Sequence, residues 1–390
     1  MNRLELQRDR IIRLIYLVIG LIVRPFVGIK PNRIMCCSFN FRKYACNPRE
    51  ITQYLLEHHE GEFEIYWAFK DGAQTGDIPD SVQIVKKNSI QYLIALYSSH
   101  FIFNNMRNDV ADTYFIKKKG QIYVMTWHAS MSLKKVEKDA AETLGTKYVN
   151  KAKADSQMCD AMISGCDFHT NLFRNSFWYE GEILNIGTPR CDSLFEKSSV
   201  FKKTVDSAYD ISGAFVVLYA PTFRSDYSLE SYKLEWEDVL DVLREKYGRR
   251  VVILLRMHPN FSMISGFNLD KYTSEDIIDV TDYPDMQALL CASDVLITDY
   301  SSAMFDISLI KKPCFIYATD ADKYDRGFYF NLNELPYPLS CSNEELIDCL
   351  LTFDKENYNF KLDEFYTERI GNFEDGKSCE RLHNWMVQKL

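Results

Sequence analysis

Two doubly wound α/β lobes facing across a cleft is the fold class that this sequence predicts, and three observations predict it. Short β-branched or aromatic runs alternate with amphipathic helical patterns along most of the chain. The strand series splits into two of similar length at a polar stretch, 195–213, that lacks a strong apolar period. Finally, 390 residues at 46% hydrophobic content suit two mid-sized cores rather than one small module.

The amino end stands apart. Residues 1–30 carry six Lys/Arg against Glu5 and Asp9, a local charge of +4 in a chain whose net charge is −9. The apolar run LIYLVIGLIV, residues 14–23, is flanked by Arg13 and Arg24. Ten residues are too few to span a bilayer, which takes about 18 or more. Arg24-Pro25-Phe26 follows where a cleavable signal would need small residues, so the helix is expected to stay in the mature protein. The pattern predicts an amphipathic helix lying in a membrane interface, with a helix packed on the protein's own core as the alternative.

Strands are expected at 34–37, 63–69, 101–104, 121–126, 160–164 and 183–186 in the first lobe. In the second they are expected at 215–220, 251–257, 294–298 and 314–317. Helical patterns such as 48–59 and 285–291 lie between them. The predicted division is 1–30 for the amino-terminal helix, 31–205 and 206–372 for the two Rossmann-like lobes, and 373–390 for a terminal helix starting near Asp375.

Net negative charge argues against a nucleic-acid partner, so any anion site must be local. The 11 cysteines are scattered, with no CxxC pair and no Cys/His cluster at zinc spacing, and fit a reducing compartment. Neither a Walker A motif nor GxGxxG occurs. Asp320-Ala321-Asp322 has the form of a metal-binding DxD but reads as a polar loop, and no metal is expected. His58-His59 read as a solvated helix end, and Lys117–Lys119 with Lys134-Lys135 as solvated turns that offer an approach to an anionic acceptor.

Ligands of open α/β sheets bind beyond the carboxyl ends of strands, and four such ends carry unusual residues. QIYVMTWHAS runs into His128, read either as a proton acceptor near neutral pH or as a structural hydrogen-bonding residue. FVVLYAPTFRSD places Arg224 after a strand-stopping Pro221, its planar fork suited equally to phosphate oxygens or to a salt-bridge partner. VVILLRMHPN ends at His258. In DVLITDYSSAMFDISLIKKP a strand ends at Asp299, and Ser301 and Ser302 open a helix containing Asp306. The ensemble points to a diphosphate ligand and a proton acceptor.

TWHAS with the following LKK, YAPTFR, RMHP, ITDYSSAMFDISLIKKPCFIY and YDRGFYF, in this order over roughly 34–340, resemble the motif series of the CDP-glycerol glycerophosphotransferase family. SFNFRKYACNPREI and ILNIGTPRCDSLF resemble it too. The resemblance implies a GT-B fold, with 31–205 as acceptor lobe and 206–372 as donor lobe. It also implies peripheral attachment to the cytoplasmic face of the membrane and transfer of glycerol phosphate from CDP-glycerol, or a related CDP-polyol, to a lipid-linked saccharide or polyol-phosphate acceptor, with release of CMP and no cofactor. His128 matches the family's general-base histidine and His258 the histidine at the diphosphate. Arg224, Ser301, Ser302 and Arg326 match phosphate-side positions, and Asp306 is assigned a ribose hydroxyl. The family's Trp-His-Gly-Thr-Pro reads Trp127-His128-Ala129-Ser130-Met131 here, losing glycine's freedom at positive φ and a proline turn. The competing expectations are a CDP-ribitol-dependent transferase, a GT-B glycosyltransferase using a nucleotide sugar, and a non-catalytic nucleotide-binding scaffold.

Overall fold

The computed structural model describes residues 3–107, 115–224, 232, 234–258, 269–321 and 327–390. The chain forms two compact units. The first comprises 1–128, 136–192 and 373–390, and the second 129–135 and 193–372.

The first unit begins with α1 (Arg3–Val23), followed by β1 (Lys30–Cys37), α2 (Cys46–His58), β2 (Glu64–Phe69) and β3 (Gln83–Lys86). Then come α3 (Ile90–Ser98), β4 (Ser99–Asn104), β5 (Ile122–Met125), α4 (Thr146–Met158), β6 (Ala161–Ser164), α5 (Asp167–Ser176) and β7 (Glu182–Asn185). Its seven strands are parallel in the order β3-β2-β1-β4-β5-β6-β7. The core joins Ile34, Cys36, Ile65, Trp67, Phe101, Phe103, Val124 and Ile163 of these strands to Ile51 and Leu55 of α2.

α6 (Pro189–Glu196) carries the chain into the second unit, and α7 (Ser198–Tyr209) belongs to that unit. These helices fill most of the stretch that reads from sequence as a polar break. They escape the periodicity because Phe195 and Val200 face solvent while little beyond Val205 anchors α7 inward. β8 (Phe215–Tyr219), α8 (Trp236–Tyr247), β9 (Val251–Leu255), β10 (Ile277–Asp279), α9 (Met286–Ala292), β11 (Val295–Thr298), α10 (Ala303–Leu309), β12 (Cys314–Tyr317), β13 (Leu339–Ser340), α11 (Asn343–Thr352) and α12 (Lys355–Glu364) follow. The sheet is parallel in the order β10-β9-β8-β11-β12-β13. α8 ends on Gly248, whose left-handed φ of 62° lets the chain turn sharply into β9 without a Cβ penalty.

The last helix, α13 (Ser378–Val387), packs on the first unit. Cys379, Leu382 and Met386 enter its core, and Asp192 caps the helix, its two carboxylate oxygens accepting from the Ser378 and Cys379 amides at 3.0 and 2.7 Å. Among the described residues no helix is long and apolar enough to cross a membrane.

Candidate active site

Each sheet reverses its strand order once, between β1 and β4 in the first unit and between β8 and β11 in the second. The carboxyl ends of these strand pairs are where an open parallel sheet leaves room for a ligand, because the crossovers leave them in opposite directions.

In the first unit that place is marked by backbone strain. Phe39, Asn40 and Phe41, just past β1, all have left-handed φ (44°, 58° and 65°), and Trp127 past β5 has φ 54°. Such conformations persist only where the surroundings over-determine them. Asn105, past β4, holds both segments: its Oδ1 accepts from the Phe39 amide at 2.9 Å, and its carbonyl lies 2.9 Å from His128 Nδ1. A carbonyl can only accept, so it fixes the proton on Nδ1 of the neutral ring and leaves the lone pair on Nε2. The ring is half-buried and leans on Trp127, with centroids 4.4 Å apart.

The backbone under His128 is clamped as well. Asn47 at the start of α2 donates through Nδ2 to the carbonyls of Thr126 and Trp127 at 2.8 and 2.9 Å, and its Oδ1 accepts from the Arg190 amide at 2.9 Å. Arg190 in turn donates to the His128 carbonyl at 2.7 Å. Burial first, with smaller contributions from the neighbouring His128 and Arg190, pushes the His169 imidazole down to about 3, so it stays neutral.

In the second unit the loops after β8 and β11 are tied together. The Thr222 amide donates to both Asp299 oxygens at 2.9 and 3.0 Å. Arg224, 6% exposed, donates to Asp320 through Nε and Nη2 at 2.6 and 2.9 Å, and through Nη1 to Asp299 at 2.8 Å and to the Thr222 carbonyl at 2.7 Å. Burial works against the charge, but the Asp320 and Asp299 carboxylates outweigh it and hold the guanidinium above its ordinary pKa. The fork expected to meet phosphate is thus committed to two carboxylates, and Tyr300 Oη adds a bond to Asp320 at 2.9 Å. Asp320, the first residue of the DxD-like triplet, is half of this brace; Asp322 lies outside the described residues.

Asp306 is likewise internal. It is 1% exposed, one oxygen accepting from Ser130 Oγ at 2.5 Å and the other from Gln287 Nε2 at 3.1 Å. A ribose hydroxyl would have to displace one of these partners. Ser301 and Ser302, half-exposed, lead into α10; Ser301 Oγ accepts from the Ala303 amide at 3.2 Å, and Ser302 makes no side-chain capping bond. His258 is exposed three residues past β9, its ring 5.6 Å from Phe223. Arg326 lies outside the described residues.

The departure from Trp-His-Gly-Thr-Pro resolves simply. Positive φ falls on Trp127 and not on Ala129, so no glycine is needed there. Ala129 and Met131 are buried, and Ser130 supplies the bond to Asp306.

The sequence profile of the family described as CDP-Glycerol:Poly(glycerophosphate) glycerophosphotransferase matches residues 20–388. A teichoic acid poly(glycerol phosphate) polymerase of Staphylococcus epidermidis is 34% identical over 372 residues, 91% of this chain and 50% of that one. A teichoic acid glycerol-phosphate transferase of Staphylococcus aureus is 31% identical over 367 residues, 90% of this chain and 92% of that one. The chain therefore spans about half the length of some polymerases that it matches, and nearly all of the transferase. The solved wall teichoic acid polymerase TagF is similar with a TM-score of 0.83 at 31% identity, covering 99% of this chain and 94% of that one. A variant of it soaked with CDPG has a TM-score of 0.83 at 29% identity, covering 100% and 98%.

Proposed function

The chain belongs to the CDP-glycerol:poly(glycerophosphate) glycerophosphotransferase family, and we propose that it moves glycerol phosphate from CDP-glycerol to a hydroxyl of a lipid-linked saccharide or a growing polyol-phosphate chain, releasing CMP. The observation that carries the reading is the 2.9 Å contact of His128 Nδ1 with the Asn105 carbonyl, which calls for a proton on Nδ1 and makes Nε2 the basic nitrogen. His128 takes the acceptor proton as the acceptor oxygen bonds to the phosphorus bearing glycerol. The bond from that phosphorus to the CMP oxygen breaks, and CMP leaves with the electron pair.

The two parallel-sheet units correspond in this proposal to the two lobes of a GT-B enzyme, donor recognition falling to the second. Ser301, Ser302 and His258 serve the diphosphate there, joined by Arg326. Arg224 and Asp306 act through others, bracing the β8 and β11 loops and anchoring Ser130. The soak of TagF with CDPG supports the choice of donor. A donor screen tests it: purified protein with a lipid-linked disaccharide and CDP-glycerol, CDP-ribitol, UDP-sugars or GDP-sugars. CMP release from CDP-glycerol alone is the expected result. CMP from CDP-ribitol would move the polyol assignment, and UDP or GDP release would overturn attack at phosphorus.

The proposal includes attachment to the cytoplasmic face of the membrane through α1. One side of α1 meets α3, where a Cβ at Gly20 would lie 2.9 Å from Tyr97 Oη. Ile11, Leu14, Ile15, Val18, Leu21 and Ile22, with Phe26 just beyond, are exposed. An aliphatic side chain moved wholly out of water gains about 1.5–3 kcal/mol, so even partial insertion of six exceeds the cost of holding the protein at a surface. Replacing Leu14, Val18 and Ile22 together by Ser is expected to shift the protein from the membrane fraction to the supernatant, with transfer to a water-soluble acceptor unchanged. Membrane association that survives the triple change would place the anchor elsewhere.

A further inference from the structure

We propose that His59, Glu62 and His383 form a divalent-cation site of the kind zinc occupies, clipping α13 to the turn that leads from α2 into β2. His59 follows the last residue of α2, Glu62 lies three residues on, and His383 comes from α13, 321 positions further along the chain. In sequence His59 belongs to the His58-His59 pair that reads as a solvated helix end, far from His383.

The three side chains converge on one point. His383 Nε2 lies 3.1 Å from both Glu62 oxygens, and His59 Nδ1 lies 3.2 Å from Oε2. All three ligand atoms fall within 4.8 Å of one another. Ligands about 2.05 Å from a tetrahedral zinc stand about 3.3 Å apart, so the nitrogen-to-oxygen separations already match an edge of that tetrahedron. Two imidazoles and a carboxylate are a common zinc ligand set, and they leave the fourth corner to water.

Binding exchanges protons without losing any. Each ring now turns an N–H toward Glu62. On binding, the proton moves to the ring's other nitrogen, and the lone pair that replaces it meets the ion. The rings are stacked, with centroids 3.5 Å apart and planes 18° from parallel. A tetrahedral angle at the metal would part the centroids to about 5 Å, so one ring must swing. There is room: the His59, Glu62 and His383 side chains are 26%, 35% and 11% exposed, open enough for an ion to enter.

The test uses the full chain stripped with chelator and titrated with zinc chloride by calorimetry, with cobalt(II) absorption as a second readout. One equivalent should bind, cobalt should give the intense visible bands of a tetrahedral site, and zinc should raise the thermal midpoint. Glu62→Gln and His383→Ala should each weaken binding by more than the roughly 10- to 100-fold that loss of even an outer-sphere partner costs. His59→Gln, which removes the ring stacked on His383 but keeps the His383–Glu62 contact, should do the same with an unchanged circular dichroism spectrum. No stoichiometric binding to the wild type would overturn the proposal, as would binding that all three variants retain, which would assign the ion to exposed thiols such as Cys341.

Discussion

Replacing His128 by Ala is expected to lower kcat for CMP release from CDP-glycerol by about 100- to 10,000-fold, the contribution of a placed proton acceptor. The KM for the donor should change little, because the proposal assigns donor recognition to the second unit. The fold should hold: the ring is half-buried, and the clamp beneath it is made by Asn47 and Arg190 to backbone carbonyls that the substitution leaves in place. Initial rates at saturating donor, with unfolding followed in parallel, check both halves. A variant within threefold of the wild-type rate would remove His128 from the chemistry. A large loss accompanied by unfolding would mean that the ring serves the structure first.

The second large effect concerns stability. Arg224→Ala strips the shared cation from Asp299 and Asp320, which are 2% and 18% exposed at the side chain. Removing one partner of a buried ion pair costs about 3–5 kcal/mol, because the remaining charge is left without compensation in a poor solvent. Hydrogen exchange at β8 and β11 should report that loss locally, in a chain of two units where a single unfolding transition is not assured. Arg224→Lys should recover little of it, since an ammonium cannot bridge Asp320 with two parallel bonds while reaching Asp299. A variant of either kind with native exchange rates but a raised KM for CDP-glycerol would instead make Arg224 a donor contact.

The sheets were legible where they are thickest. Every strand expected from an apolar run is present within a few residues. The three that the sequence reading passed over, β3, β10 and β13, are all sheet edges. An edge strand has a neighbour on one side only and needs no continuous apolar run; β3 buries a single residue of four, Val85. Site residues divided in a similar way. His128 and His258 announce themselves at strand ends, but Asn47 and Arg190 act through backbone carbonyls 79 and 62 positions away, and no local pattern encodes such a partner. Arg224 and Asp320 show the reverse. Arg224 reads equally as a phosphate ligand or a salt-bridge partner and Asp320 as part of a polar loop, and only the 96-residue contact between them reveals that they satisfy each other. His59 and His383 stayed hidden for the same reason.

The capping of α13 by Asp192 bears on how the polypeptide matures. The first unit holds both ends of the described chain, with nearly the whole second unit threaded between residues 192 and 373. A ribosome delivers residues in order, and domains ordinarily fold as they emerge, amino-terminal first. Here the earlier-made sheet must wait, its Leu382 and Met386 contacts unmade and Asp192 without the amides it caps, until synthesis has passed through the later-made one. The nascent chain thus holds an exposed parallel sheet for the translation time of about 180 residues, roughly 10–40 s at ordinary elongation rates, and that interval is when a chaperone has the most apolar surface to meet.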